Sequence, residues 1–281
     1  MKKIFLTLFT ILITQFNTTC LGQIPMTQIT DQQPFSIGET LIFKSTLLKE
    51  NRTINIYLPE SYHKDSLKKY PVIYLLDGSA DEDFIHISGL VQFSSFSWIN
   101  TLPESIVVGI GNVDRKRDFT YPSNNDIDNK ELPTSGKSAP FIKFIADELQ
   151  DLITKKYRVT PEKTLIGQSL GGLLATEILF TQPELFDNYI IVSPSLWWDD
   201  ESLLKRALPV SLKEKSVYIG VGKEGPTMER VAQTLFYKLT LEKSKDIKLF
   251  FKYFDQLDHG DTLHLSVYDA FEKIFYKEEK K

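Results

Sequence analysis

The stretch from Thr164 to Ala175 constrains the fold more than any other part of the chain. An apolar run ends in Gly167-Gln168-Ser169-Leu170-Gly171, and a second apolar segment without proline follows at once. That order predicts a strand, a sharp turn and a helix. Strand and helix backbones pass close together at such a turn, and Gly167 and Gly171 supply the room. The turn lifts Ser169 to the start of the helix, where free N–H groups and the helix dipole favour negative charge on a neighbouring oxygen. A Gly-Ser turn without chemistry is the plain alternative. The strand before and the helix after are the context that a nucleophilic serine requires.

The rest of the chain is compatible with that element. Tyr70–Leu76, Glu104–Gly111, Phe186–Ser193, Ser216–Val221 and Ile247–Phe254 are apolar runs with little polar alternation, as in strands covered on both faces. Helical patterns fall between them, over Asp81–Leu90, Ser138–Tyr157, residues 170–182, Met228–Leu241 and Leu265–Tyr276. Alternating strands and helices predict a mainly parallel, doubly wound α/β sheet. Glu39–Ser45 and Arg52–Leu58 alternate apolar and polar residues and predict an antiparallel hairpin ahead of it. Asn112–Gly136 is polar and proline-containing, which predicts a long irregular segment, either a wall of a substrate cleft or a solvated loop with a local ion pair among Arg115, Arg117 and Asp118. Without an internal repeat or linker, residues 23–281 are expected to form a single α/β domain.

Charge and cysteine usage exclude several functions. The net charge is −4 with no block of Lys or Arg, so nucleic acid is not an expected partner. Met1-Lys2-Lys3 followed by the apolar run Ile4–Ile13 reads as a secretory signal peptide over residues 1–22, too short to remain as a membrane span. The protein is therefore expected to be exported, periplasmic or secreted, with cleavage after Gly22. Lipid attachment at Cys20 is the alternative ending. Cys20 is the only cysteine, so the mature chain is expected to have no disulfide, no thiolate nucleophile and no cysteine-based metal site. No cofactor or metal is implied.

A serine hydroxyl needs a base, and the base needs an acid to orient it. With a serine on such a turn the expected chain order is Ser, Asp/Glu, His, each later residue on a loop after a later strand. His259 follows the last strand and precedes Gly260, and it is the favoured base; His264 is the rival, where a helix begins. Glu224 follows the strand before and is the favoured acid, with Glu229, Asp199 and Asp200 as rivals. The N–H of Leu170 and one from Gly78–Ser79, in the loop after the strand at 70–76, are the expected oxyanion donors. The chemistry this predicts is attack of Ser169 on an ester carbonyl, an acyl-enzyme, and release of the acyl group by water. An acyltransferase using the same serine and a non-catalytic binding protein on the same scaffold are the alternatives.

Several ordered motifs lie on this frame: Tyr70-Pro71-Val72-Ile73-Tyr74-Leu75-Leu76-Asp77-Gly78, Arg115-Lys116-Arg117-Asp118-Phe119-Thr120, Gly167-Gln168-Ser169-Leu170-Gly171-Gly172, Ser193-Pro194-Ser195-Leu196-Trp197-Trp198 and Asp258-His259-Gly260. Through them the chain resembles, from about Leu41 to Ile274, the bacterial esterase family that includes the esterase D group and the enterobactin-type siderophore esterases. The resemblance implies an α/β-hydrolase fold and ester hydrolysis, with Ser169 as nucleophile and His259 as base. Siderophore esterases carry a glutamate after the corresponding strand and a methionine four positions later, which Glu224 and Met228 match. It also implies that Arg117 and Trp198, on loops flanking the family's cleft, bind substrate. The implied partner is a small-molecule siderophore trilactone or a carbohydrate-linked acyl ester. Thr120–Gly136 is the stretch least like the family.

Overall fold

The computed structural model describes residues 28–208, 212, 214–242 and 247–276. The leader expected over residues 1–22, with Cys20, lies outside the described residues. Residues 28–35 carry no regular secondary structure, and the described residues from Ser36 onward form one compact unit. No helix among the described residues is long and apolar enough to cross a membrane.

The chain alternates as its apolar runs require. β1 (Gly38–Lys44) and β2 (Asn51–Tyr57) form the expected hairpin. β3 (Tyr70–Leu75), α1 (Phe84–Ser94) and β4 (Ile106–Ile110) follow. Then come α2 (Arg115–Phe119), α3 (Asp126–Glu131), α4 (Ser138–Phe144) and α5 (Gln150–Lys156), the last two joined by a π-helical turn at Ile145–Leu149. β5 (Val159–Gln168), α6 (Leu170–Thr181), β6 (Asn188–Val192) and α7 (Trp198–Lys205) lead to β7 (Ser216–Gly222). The chain closes with α8 (Pro226–Glu242), β8 (Lys248–Phe254) and α9 (Thr262–Phe275).

The eight strands lie in the order β1-β2-β4-β3-β5-β6-β7-β8. β2 runs antiparallel to both its neighbours, and every pairing from β4 to β8 is parallel. This is the α/β-hydrolase fold, with helices on both sheet faces. Along β3, Val72 and Tyr74 pack on one side with Phe141, Ile153, Leu173, Ile178 and Leu235 of α4, α5, α6 and α8. Ile73 and Leu75 pack on the other with Ile87 and Val91 of α1 and Val267 and Phe271 of α9. Strand alternation thus divides the apolar residues between two cores, although the sequence shows an unbroken run.

The segment Asn112–Gly136 is not irregular throughout, as the sequence predicts; it holds α2 and α3. The Asp114 side chain caps α2 by accepting from Arg117 N–H, and the Asn125 side chain caps α3 by accepting from Ile127 N–H at 2.8 Å. Helices of one or two turns held by end caps leave too little apolar periodicity to read from sequence.

Candidate active site

The nucleophile turn is built by close backbone approach. A Cβ on Gly167 would lie 2.4 Å from the Gly171 carbonyl oxygen, so the strand end tolerates no side chain there, whereas a Cβ on Gly171 would meet nothing closer than 3.4 Å. Ser169 sits between them at φ 58°, ψ −119°, a strained conformation for a residue with a Cβ. Its N–H is held by the Val192 carbonyl at 3.0 Å, which ties the turn to β6. Leu170 is the first residue of α6 and precedes the first intrahelical bond, Leu173 N–H to Ser169 C=O at 3.0 Å, so its N–H points outward as helix-start donors do.

A cleft of about 670 Å³ opens over this turn, lined by Ser169, Ser195, Trp197, Lys223, Glu224, Met228, Asp258 and His259. The three residues expected to act together are therefore brought together, from the ends of β5, β7 and β8. The carboxyl ends of the parallel strands are where this class of sheet binds ligands. His259 Nδ1 and Glu224 Oε2 are 2.5 Å apart. The other carboxylate oxygen, Oε1, accepts from Gly222 N–H at 2.9 Å and from the Ser193 hydroxyl; the Thr262 hydroxyl, 3.5 Å away, donates to the Asp258 carbonyl instead. Burial pushes the Glu224 carboxyl up, but the bonds from His259, Ser193 and Gly222 outweigh it and hold the acid below its ordinary value of 4.5. The bond to Glu224 outweighs burial at His259 and raises that imidazole above its ordinary 6.5. Ser169 Oγ lies 3.3 Å from Ser195 Oγ in this structure. A base–nucleophile bond commonly tightens only with substrate bound.

The rivals are occupied elsewhere. The His264 ring packs edge-on against His86, centroids 5.1 Å apart, between α9 and α1. Glu229 accepts from Gly225 N–H at 3.0 Å, and Asp199 accepts from Asn124 N–H at 2.7 Å.

One expectation is narrowed and two do not survive. The N–H of Gly78 donates to the Ile110 carbonyl at 3.0 Å and is not free for an oxyanion. Gly78 is needed for space: a Cβ there would lie 2.3 Å from Gly109 Cα. Ser79 keeps the more available N–H, with only a 3.3 Å contact to the Glu82 carboxylate. Trp198 does not reach the cleft; it is fully buried, with its indole N–H on the Tyr121 carbonyl at 2.9 Å. Its neighbour Trp197 is the cleft residue. Arg117 is not among the cleft residues either. Its guanidinium bridges both carboxylate oxygens of Glu50, at 2.6 and 2.9 Å, and Asp118 at 2.7 Å. Those carboxylates also hold the fully buried Arg52, so the cluster braces β2 against α2.

Other residues beside the nucleophile are marked in the sequence only as part of a motif, with no role assigned. Ser195 and Ser193 lie in the loop after β6, a place the strand-end rule identifies. Among the described residues, no group of three or more His, Cys, Asp or Glu side chains could hold a metal ion.

The comparisons with known proteins agree with the fold. Residues 45–259 match the family model described as "Putative esterase". The chain is 31% identical over 185 residues to the ferri-bacillibactin esterase BesA of Bacillus subtilis (strain 168), a match covering 61% of this chain and 64% of that protein. The chain thus spans a little under two thirds of that relative's length. Among solved structures, an IroE-like serine hydrolase from Shewanella oneidensis superposes with TM-score 0.76 at 29% identity, covering 85% of this chain and 80% of the other. A BES protein from Bacillus cereus gives TM-score 0.75 at 29% identity over 89% of this chain and 100% of the other.

Proposed function

This chain belongs to the "Putative esterase" family, a family of esterases, and from that premise we propose that it is a carboxylic ester hydrolase working through an acyl-enzyme on Ser169. Glu224 accepts the Nδ1 proton of His259, which leaves Nε2 as the acceptor. Nε2 takes the Ser169 proton as Oγ attacks the ester carbonyl. The oxyanion is held by the N–H groups of Leu170 and Ser79, each such donor being worth about 3 kcal/mol. His259 returns the proton to the leaving alcohol. It then takes a proton from water, and the water releases the acid and frees Ser169. The observation that carries this reading is the 2.5 Å Glu224–His259 contact on the wall of the cleft that also holds the strained Ser169.

The proposed substrate is a siderophore ester of the trilactone type. The B. subtilis relative's name supports it, as does a cleft lined by both the cation of Lys223 and the ring of Trp197, chemistry suited to an anionic aromatic ligand. The reading takes residues 23–281 as one catalytic domain, exported once residues 1–22 are removed, on the strength of the basic, then apolar, N-terminus. The test compares a trilactone catecholate siderophore, methyl ferulate and a short p-nitrophenyl ester, with Ser169→Ala as control. Serine-dependent turnover with preference for the trilactone is expected. Preference for the ferulate would move the substrate to carbohydrate-linked acyl esters, and turnover unchanged in Ser169→Ala would end the mechanism.

A further inference from the structure

Gln168 immediately precedes the nucleophile and is half-buried. Its side-chain amide donates to the backbone carbonyl of His259 at 2.6 Å. Among the described residues this is the only hydrogen bond from the nucleophile turn, residues 167–172, to the histidine loop, residues 255–261. The loop's other bonds are local or run to the β7 end: Gly260 N–H to Asp258 at 2.8 Å, Asp258 N–H to Asp261 at 2.7 Å, and Lys223 N–H to the Leu257 carbonyl at 2.7 Å. The backbone carbonyl of Gln168 accepts from Arg115 Nη2 at 3.3 Å. Arg115 in turn grips Asp77 with two bonds, at 2.7 and 2.8 Å. Asp77, at φ 55°, leads into Gly78–Ser79.

We propose that Gln168 is a positioning residue for the base: its carboxamide fixes the backbone of His259 against the nucleophile turn, while Glu224 fixes the ring. Two anchors are needed because the side chain of His259 is 47% exposed and its loop lies at the protein surface. Glu224 alone sets how the ring rotates, but not how far the loop stands from Ser169. The Gln168 amide sets that distance. The Arg115–Asp77 pair applies the same constraint to the oxyanion loop from the other end of Gln168.

The proposal rests on the role of His259 given above, and the experiment separates the two. Gln168→Met keeps the length and removes the donor; Gln168→Glu keeps the shape and sets an acceptor against the His259 carbonyl. Both are expected to lower kcat about tenfold while KM stays within about twofold, the size of one misplaced hydrogen-bonded contact. In Gln168→Met the loosened ring loses part of its bond to Glu224, so the acid limb of kcat/KM should also move to lower pH; the carboxylate of Gln168→Glu opposes that shift, and there only kcat is read. Gln168→His, which restores an N–H at similar reach, should recover both. A thermal melt checks that the variants are folded; if the Met variant is not, the Glu variant is read against the His variant. Wild-type kcat in the donor-less variants, with an unmoved acid limb in Gln168→Met, overturns the tether. His259→Ala, assayed alongside, distinguishes the failures. If it is inert and Gln168→Met is not slowed, only the tether falls. If it turns over like wild type, the reading of His259 as base falls, and the tether with it.

Discussion

Replacing Glu224 by Gln tests whether the acid takes part in catalysis. The substitution keeps the shape, so the outcome turns on which way the amide faces. Oε1 receives the Ser193 hydroxyl and the Gly222 N–H at 2.9 Å, and the second of these is backbone and cannot turn away. The amide oxygen must therefore stay at the Oε1 position and the NH2 group must face His259. An NH2 donor opposite Nδ1 forces the imidazole to carry its proton on Nε2, where it cannot accept from Ser169. Turning the amide over instead orphans the Gly222 N–H, at about 1–3 kcal/mol. In either orientation the charge-assisted bond that stabilises the imidazolium is lost, worth about another 1.5–3 kcal/mol. Together these cost about 2.5–6 kcal/mol, so kcat should fall about a thousandfold, somewhat less than the roughly ten-thousandfold loss when the orienting acid of a serine protease triad is neutralised. Steady-state turnover of a p-nitrophenyl ester and the rate of fluorophosphonate labelling of Ser169 should fall together, with KM little changed. A loss of less than tenfold would refute the reasoning and leave the site a Ser–His dyad.

The two adjacent tryptophans should separate by assay. Trp197→Ala should raise KM with the melting temperature nearly intact, whereas Trp198→Ala should cost about 3–5 kcal/mol of stability in a denaturant melt because it empties a fully buried site. Ser169→Gly should abolish turnover yet raise stability by about 1 kcal/mol, since glycine relieves the strain at φ 58°; a lower melting temperature would contradict this. The Glu224–His259 pair predicts opposite pH demands for stability and activity. Glu224, held low, adds stability above about 4.5 that is lost as pH falls through its folded value. His259, held high, adds stability below about 6.5 that is lost as pH rises through its own. The melting-temperature gap between wild type and Glu224→Gln should therefore be widest between those values. By contrast, kcat/KM should rise with pH through a midpoint above 6.5, where His259 becomes neutral.

The backbone frame of this site was legible because local sequence dictates it. Gly167 is a glycine because the strand end it closes nearly touches the Gly171 backbone, a contact made by residues four apart in the chain. The long strands were legible for a similar reason: burial on both faces leaves no room for polar alternation, as at Ile106–Ile110 and Asn188–Val192, where every residue is buried. The order of the strand ends then places the turn carrying Ser169, the loop carrying Glu224 and the loop carrying His259 at one edge of the sheet. Nothing about distant contacts is needed to reach that point.

What the sequence could not supply is which atom of a correctly placed loop is free to act. Gly78 lies in the loop that the rule identifies, but its N–H is claimed by Ile110, a residue 32 positions away whose approach depends on β3 and β4 pairing in parallel register. Arg117 and Trp198 sit in matching motifs and are likewise spent: the arginine on Glu50, across the hairpin, and the tryptophan on Tyr121, in the loop beyond α2. In each case a long-range partner takes up the group; beside two of them a neighbour stays available, the Ser79 N–H and the Trp197 ring. A motif in this chain fixes a position along the backbone, and tertiary partners decide which side chain or N–H at that position faces the substrate. Gln168 shows the converse: a residue the motif leaves unspecified becomes, through one bond to the His259 carbonyl and one from Arg115, the point where three loops of the site meet.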